Sequence, residues 1–229
     1  RVTLDQPNIL KTQLRSMLLA QQEFGNLEIM IPMVSRLEEV ISFKKILNEA
    51  IKEIIVQTNK PVNPPRFGVM IEVPSIAYVL PEIAKEADFF SIGSNDLIQY
   101  LMAVDRSNPK VCRFFDAFNP AVIRCLKYLH DECHRLGKPI SVCGEIAGNP
   151  LGSIMLLSLG YKCLSMNYSE LARVKYICRR VSFADLQKIG QIALTLDNSA
   201  KIRSLYHEYA ANQGLNRIID IDDLRLANK

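Results

Sequence analysis

Glu72, the pair Asn95-Asp96, and Cys143 with Glu145 all stand just behind short apolar runs. The runs are FGVMI before Glu72, FFSIG before Ser94-Asn95-Asp96, and ISVC ending in Cys143 itself. Apolar strand, glycine, then carboxylate is how an α/β protein presents polar groups at the mouth of a parallel sheet. Asp96 alone divides evenly between two readings, a site residue and a helix cap of the usual Ser/Asn/Asp kind. The set as a whole says more. Charged groups at several strand ends are costly to bury unless paired or metal-bound. Glu72 and Asp96, with no histidine nearby in sequence, point to a hard, oxygen-ligated cation such as Mg²⁺ or Mn²⁺. Arg106 and Asn95 offer donors to an anionic ligand, and Cys143 offers a thiol acid. The bland alternative, in which each residue steadies its own loop, is much weaker for all of them together than for any one.

These residues need a scaffold, and the chain spells one out. Asp5-Gln6-Pro7 opens a helix, with Asp5 as cap and Pro7 in the first turn, and apolar residues recur at helical spacing up to Gly25. Leu27–Met33 reads as a buried strand. Ser35-Arg36-Leu37-Glu38 has the capping-box pattern, and its helix runs to about Thr58. Strands follow at Phe67–Val73, around Phe89, at Pro139–Cys143 and at Cys163–Met166. Helices are expected at Ser75–Glu86, behind Asp96, from Asn119 to Arg135, over Pro150–Leu159, from about Ser169, and over Phe183–Leu196 and Ala200–Gln213. One helix and five strand–helix repeats imply a parallel sheet covered by helices. No G-x-G-x-x-G follows any strand, which counts against a dinucleotide-binding sheet. A (β/α)₈ barrel needs eight strands and about 250 residues. Five are visible here and the chain starts on a helix, so an open doubly wound sheet and a barrel both stay open as closures, and residues 214–229 read as a charged tail.

Bulk properties narrow the class. The 229 residues carry 28 Lys and Arg against 24 Asp and Glu, a net charge of +4, with the basic residues spread along the chain. No basic tail of the nucleic-acid-binding kind is present. The longest apolar run falls short of the ~18–20 residues of a membrane span. The six cysteines form no C-x-x-C pair. They read as reduced thiols of a cytoplasmic protein, mostly buried and inert. His130 and His134 are spaced i, i+4, but HDECH misplaces the glutamate for a metalloprotease, and the reading is a solvated helix face. YHEY at 206–209 likewise reads as helix surface.

The blocks GVMIEVPS, AKEADFFSIGSNDLIQYLMAVDRSN, NPAVIR, VCGEIAGNP and LARVK resemble a known family. It is the phosphoenolpyruvate (PEP)–protein phosphotransferases, enzyme I of the phosphotransferase system, in their PEP-binding barrel. The opening RVTLDQPNILKTQLRSMLLAQ and EIMIPMVSRLEEV are similar to it too, so the likeness covers nearly everything up to about residue 180. AVDRSN favours this branch over pyruvate phosphate dikinase and PEP synthase, which share the SIGxND and CGE blocks, and GVMIEVPS leans towards the nitrogen-related variant. The resemblance implies a partial (β/α)₈ barrel over residues 1–213, strands four to eight with their helices, and transfer of the phosphoryl group of PEP to a histidine of a separate N-terminal domain, then to a histidine phosphocarrier protein. It implies a homodimer and a bound Mg²⁺ held by Glu72 and Asp96. Asn95 and Arg106 match groups that contact the substrate phosphate, and Cys143 matches the acid that protonates the enolate carbon. Ser94 stands where the family often has Thr, a change that keeps the hydroxyl. The first three strands and the phosphohistidine domain have no counterpart here, so this polypeptide alone is expected not to turn over. It is also expected to expose an apolar sheet edge and associate. The alternatives are a dikinase or synthase fragment and a non-catalytic binding or dimerisation module.

Overall fold

The computed structural model describes residues 1–219. Its strands are β1 (Glu28–Ile31), β2 (Arg66–Ile71), β3 (Phe89–Gly93), β4 (Ile140–Cys143) and β5 (Leu164–Ser165), in the sheet order β1-β2-β3-β4-β5. The chain is α/β with a parallel five-stranded sheet, as the alternation predicts. It divides into two compact units, Arg1–Ser91 and Ile92–Lys229.

In the first unit the helices are α1 (Val2–Asp5), α2 (Pro7–Phe24), α3 (Leu37–Thr58) and α4 (Leu80–Ala84). Asp5 belongs to α1, so the cap of α2 is Gln6, with Pro7 at the first helical position. α2 buries Leu10, Leu14 and Leu18, one stripe at i, i+4, i+8. Its last turn is tied down by Gln21, which accepts from the Leu27 N–H at 2.8 Å and donates to the Asn63 carbonyl at 3.2 Å. β1 pairs parallel with β2, Ile29 opposite Phe67, and Phe67 stacks on Phe43 of α3 with ring centroids 5.2 Å apart. The expected helix over Ser75–Glu86 is instead a 3₁₀ turn (Pro74–Tyr78) followed by α4. Proline lacks the N–H that a helix interior must donate, so Pro74 and Pro81 each open a short helix where a continuous one was expected.

The second unit carries α5 (Ser94–Leu101), α6 (Pro120–Arg135), α7 (Glu145–Gly148), α8 (Pro150–Ser158), α9 (Tyr168–Cys178), α10 (Phe183–Thr195) and α11 (Ser199–Asn212). β4 pairs parallel with β5. Asn119 caps α6 through the Ala121 N–H at 2.9 Å, and α8 is buried almost all round. Two expectations of surface fail. Tyr206 is fully buried and Tyr209 nearly so. The Tyr206 hydroxyl finds Ser158 Oγ at 2.8 Å, so the two tyrosines of YHEY pack inward, Tyr206 with a satisfied polar tip, while Glu208 between them stays exposed. His130 is half-buried, its ring edge-on to Tyr161 at 5.1 Å, while His134 is exposed. Leu215 and Ile219 are buried too, and the rest of the expected tail, residues 220–229, lies outside the described residues. No helix among the described residues is long and apolar enough to cross a membrane.

The capping box of α3 sits one residue later than the pattern indicates. Glu39, not Glu38, accepts from the Ser35 N–H at 2.8 Å, the Ser35 hydroxyl at 3.2 Å and the Arg36 N–H at 3.3 Å. Burial pushes the Glu39 carboxyl up, but the bonds from Ser35 and Arg36 outweigh it and hold the group below its usual value. A depressed carboxyl pKa gives stability that is present at neutral pH and lost as pH falls through the lowered value. Glu39→Ala should therefore cost about 1 kcal/mol in urea unfolding at neutral pH, and the gap to the parent should narrow in acid. A gap of equal size at both pH values would contradict the charged cap.

Candidate functional site

The second unit gathers its site where β3 and β4 end. β3 closes on Gly93, and Ser94, Asn95 and Asp96 are the first three residues of α5. Gly93 holds the cap position, so Asp96 is not the helix cap; it lies in the first turn, where a carboxylate also suits the helix dipole. Cys143 is the last residue of β4 and Gly144 turns the chain into α7.

The two strand ends are laced together by three hydrogen bonds. The Ser94 hydroxyl donates to the Cys143 carbonyl at 2.6 Å, the Cys143 thiol donates to the Ile92 carbonyl at 3.2 Å, and the Glu145 N–H donates to Asn95 Oδ1 at 3.2 Å. A carbonyl can only accept, so the thiol contact belongs to protonated sulfur. Gly144 makes the approach possible. Its φ is +108°, and a Cβ there would stand 2.3 Å from Ser94 Oγ.

Arg106 joins from the loop after α5. Its backbone N–H donates to Gln99 Oε1 at 3.2 Å, and its guanidinium lies 3.7 Å from the Glu145 carboxylate. The Glu145 side chain is 85% exposed, so the pair is weak and open to exchange for another anion. Asn95, Arg106 and Cys143 are thus linked through Glu145 and Ser94, two residues whose roles sequence reasoning did not single out. The available signal was the glycine directly behind Cys143, which marks a close approach.

Glu72 belongs to the first unit. It directly follows β2, is 2% exposed, and accepts the Met33 N–H at 2.6 Å. A carboxylate this buried needs partners, and Met33 is one of them. The donor chemistry of Glu72 and of Asp96 is oxygen only, as a hard divalent cation prefers. Among the described residues no three or more His, Cys, Asp or Glu side chains gather as a cage. Oxygen donors of this kind suit Mg²⁺, which is ordinarily held by one or two carboxylates with water and substrate phosphate completing the shell.

The cysteines differ from expectation. All six are free thiols, but only Cys133 is fully buried, while Cys112, Cys163 and Cys178 are exposed. Burial, with help from Glu132, pushes the Cys133 thiol up to about 12, and burial pushes Cys125 up as well. Exposure therefore does not single out Cys143. Its place at the end of β4 does.

Residues 1–183 match the family described as PEP-utilising enzyme, PEP-binding domain. The chain belongs to that family. This PEP-binding domain is 38% identical over 219 residues to the "Phosphoenolpyruvate-dependent phosphotransferase system" protein of Escherichia coli K12, covering 96% of this chain and 29% of that protein. It is 36% identical to the phosphoenolpyruvate-protein phosphotransferase of Haemophilus influenzae, covering 94% and 37%, and 36% identical to that of Geobacillus stearothermophilus, covering 89% and 35%. The chain thus spans about a third of the length of the curated relatives it matches. Among solved structures, a citrate lyase from Burkholderia xenovorans LB400 superposes with a TM-score of 0.50 at 14% identity, over 82% of this chain and 64% of that one. The likeness is one of fold, and it agrees with the partial (β/α) barrel that the sequence resemblance implies.

The lacing makes a direct prediction for the PEP-binding domain. Gly144→Ala combines a strained φ with a Cβ inside contact distance of a buried oxygen. It should lower unfolding stability by on the order of 2 kcal/mol, read by urea denaturation. A neutral substitution would mean that the two strand ends are not held this close.

Proposed function

We propose that this chain is the PEP-binding part of a phosphoenolpyruvate–protein phosphotransferase, which moves the phosphoryl group of PEP to a histidine and on to a phosphocarrier protein. The observation that carries the reading is the Cys143 thiol at the end of β4, half-buried and bonded to the Ile92 carbonyl, two residues before the Glu145 that Asn95 and Arg106 both contact. Family membership and the names of the relatives support it.

In this reading Arg106 and Asn95 hold the phosphate of PEP. Arg106 exchanges its exposed partner Glu145 for the phosphoryl oxygens, where a planar guanidinium binds two at once. The P–O bond to the enol oxygen breaks and a P–N bond to the histidine forms, a reaction governed by positioning and charge neutralisation. The enolate left behind has an electron pair to place on its methylene carbon. That pair takes the proton of Cys143 Sγ, a C–H bond forms, and pyruvate leaves beside a thiolate. Glu72 and Asp96 are the carboxylates for Mg²⁺, which when bound neutralises phosphoryl charge. The acceptor histidine belongs to a domain outside this chain, as does the surface that meets the carrier. The proposal includes a homodimer and a reducing cytoplasm, the setting that suits six free thiols.

The test uses the intact protein that carries this chain. Cys143→Ala should lower pyruvate formation by roughly 10²–10⁴-fold while calorimetry still detects PEP binding in the presence of Mg²⁺. Asp96→Ala should abolish that binding heat. Full turnover by Cys143→Ala would remove the thiol from the reaction, and unchanged binding by Asp96→Ala would remove the carboxylate from the site.

A further inference from the structure

We propose that Ser94 is the positioning residue of Cys143, a role that rests on reading Cys143 as the proton donor. Ser94 is 0% exposed, so it cannot touch substrate. A hydroxyl in that position must find a partner inside the protein, because an unpaired buried hydroxyl is costly. Its partner is the carbonyl of Cys143, at 2.6 Å. The sulfur of the same residue is bonded to the Ile92 carbonyl at 3.2 Å. Residues 92 and 94, at the junction of β3 and α5, therefore hold Cys143 at two points, one on its backbone and one on its side chain. Fixing the carbonyl fixes the peptide plane from which the Cα–Cβ bond projects. The thiol bond then selects the direction of the sulfur.

The neighbouring glycine belongs to the same device. Ser94 Oγ occupies the space that any side chain at position 144 would need, as Asn95 Oδ1 does from 3.1 Å. Residue 144 thus has no side chain because the positioning hydroxyl stands there. Helix capping does not account for Ser94, because the cap position belongs to Gly93 and the hydroxyl is spent on another strand. Once Ser94 is lost, the thiol keeps one restraint of two. The consequence is a sulfur that is still present but less well aimed, and misaimed catalytic groups cost rate more than binding.

The experiment compares Ser94→Ala and Ser94→Thr in the intact protein, with Cys143→Ala alongside. Ser94→Ala should lower kcat for pyruvate formation about tenfold with the KM for PEP within about twofold. Iodoacetamide labelling of Cys143, followed on its own peptide across pH, should become about threefold faster as the sulfur is freed. Ser94→Thr keeps the hydroxyl and should restore both readouts. If Ser94→Ala does not fold, Ser94→Cys keeps the volume with a weak donor and should show the same changes in smaller measure. A Ser94→Ala protein with parental kcat and parental labelling overturns the proposal, as does Ser94→Thr behaving like Ser94→Ala. Full turnover by Cys143→Ala sinks the underlying reading as well. An inactive Cys143→Ala beside a fully active Ser94→Ala sinks only the role of Ser94.

Discussion

The second unit depends on the contact between Ser94 Oγ and the end of β4. A hydroxyl with no exposure, 2.6 Å from a carbonyl, leaves little freedom in how β3 and β4 deliver the residues at their C-terminal ends. The contact requires glycine at 144, since a Cβ would overlap the oxygen. It sets the start of α7, whose first N–H reaches back to Asn95. The position of Glu145, and through it the nearest partner of Arg106, is fixed by that turn. Close packing of this kind transmits small displacements, because interiors have few voids in which to absorb them. A change at residue 94 or 144 would therefore be felt at the other site residues of this unit.

The electrostatics complement that rigidity with one soft element. Arg106 is placed by its backbone, through Gln99, while among the described residues its guanidinium is paired with the exposed Glu145. Exposed ion pairs contribute between nothing and about 1 kcal/mol, so releasing the guanidinium costs little. In the proposed site an anionic ligand would meet an arginine whose place is fixed but whose charge is available. Glu72 in the first unit is the opposite case. It is almost fully buried and bonded to the Met33 N–H, so its carboxylate is costly to disturb whatever else it does.

Most of the architecture was legible in the sequence because it rests on local patterns. The runs before Glu72 and Ser94, and the run ending in Cys143, are short, apolar and bounded by Gly or Pro, which suffices for buried strands. Asn119-Pro120 announced α6 through a cap that the structure shows. The readings that failed depended on partners distant in the chain. Tyr206 looks like surface beside His207 and Glu208 until Ser158 is known to meet its hydroxyl. His130 looks like a solvated face until Tyr161 packs against it. Ser75–Glu86 has helical composition, and only the two prolines say that it must be two pieces. The site divides the same way. Asn95 and Cys143 stand out by strand-end position and Arg106 by its place in the loop after α5, whereas Ser94 and Glu145 enter through contacts 49 and 50 residues away in sequence.

In the proposed reaction Cys143 acts as an acid rather than a nucleophile, and the arrangement around it is consistent with that role. Its hydrogen bond to the Ile92 carbonyl is made by the S–H form, and a carbonyl cannot take the proton. No histidine is among the groups hydrogen-bonded to it, so the usual base that activates a thiol nucleophile is missing from those contacts. Giving up the proton requires the S–H to leave one weak acceptor, a small cost beside that of abandoning a charged partner. A chain that ends a strand on cysteine, follows it with a glycine that yields its space, and sets a buried serine against the backbone has the parts for aiming one S–H bond.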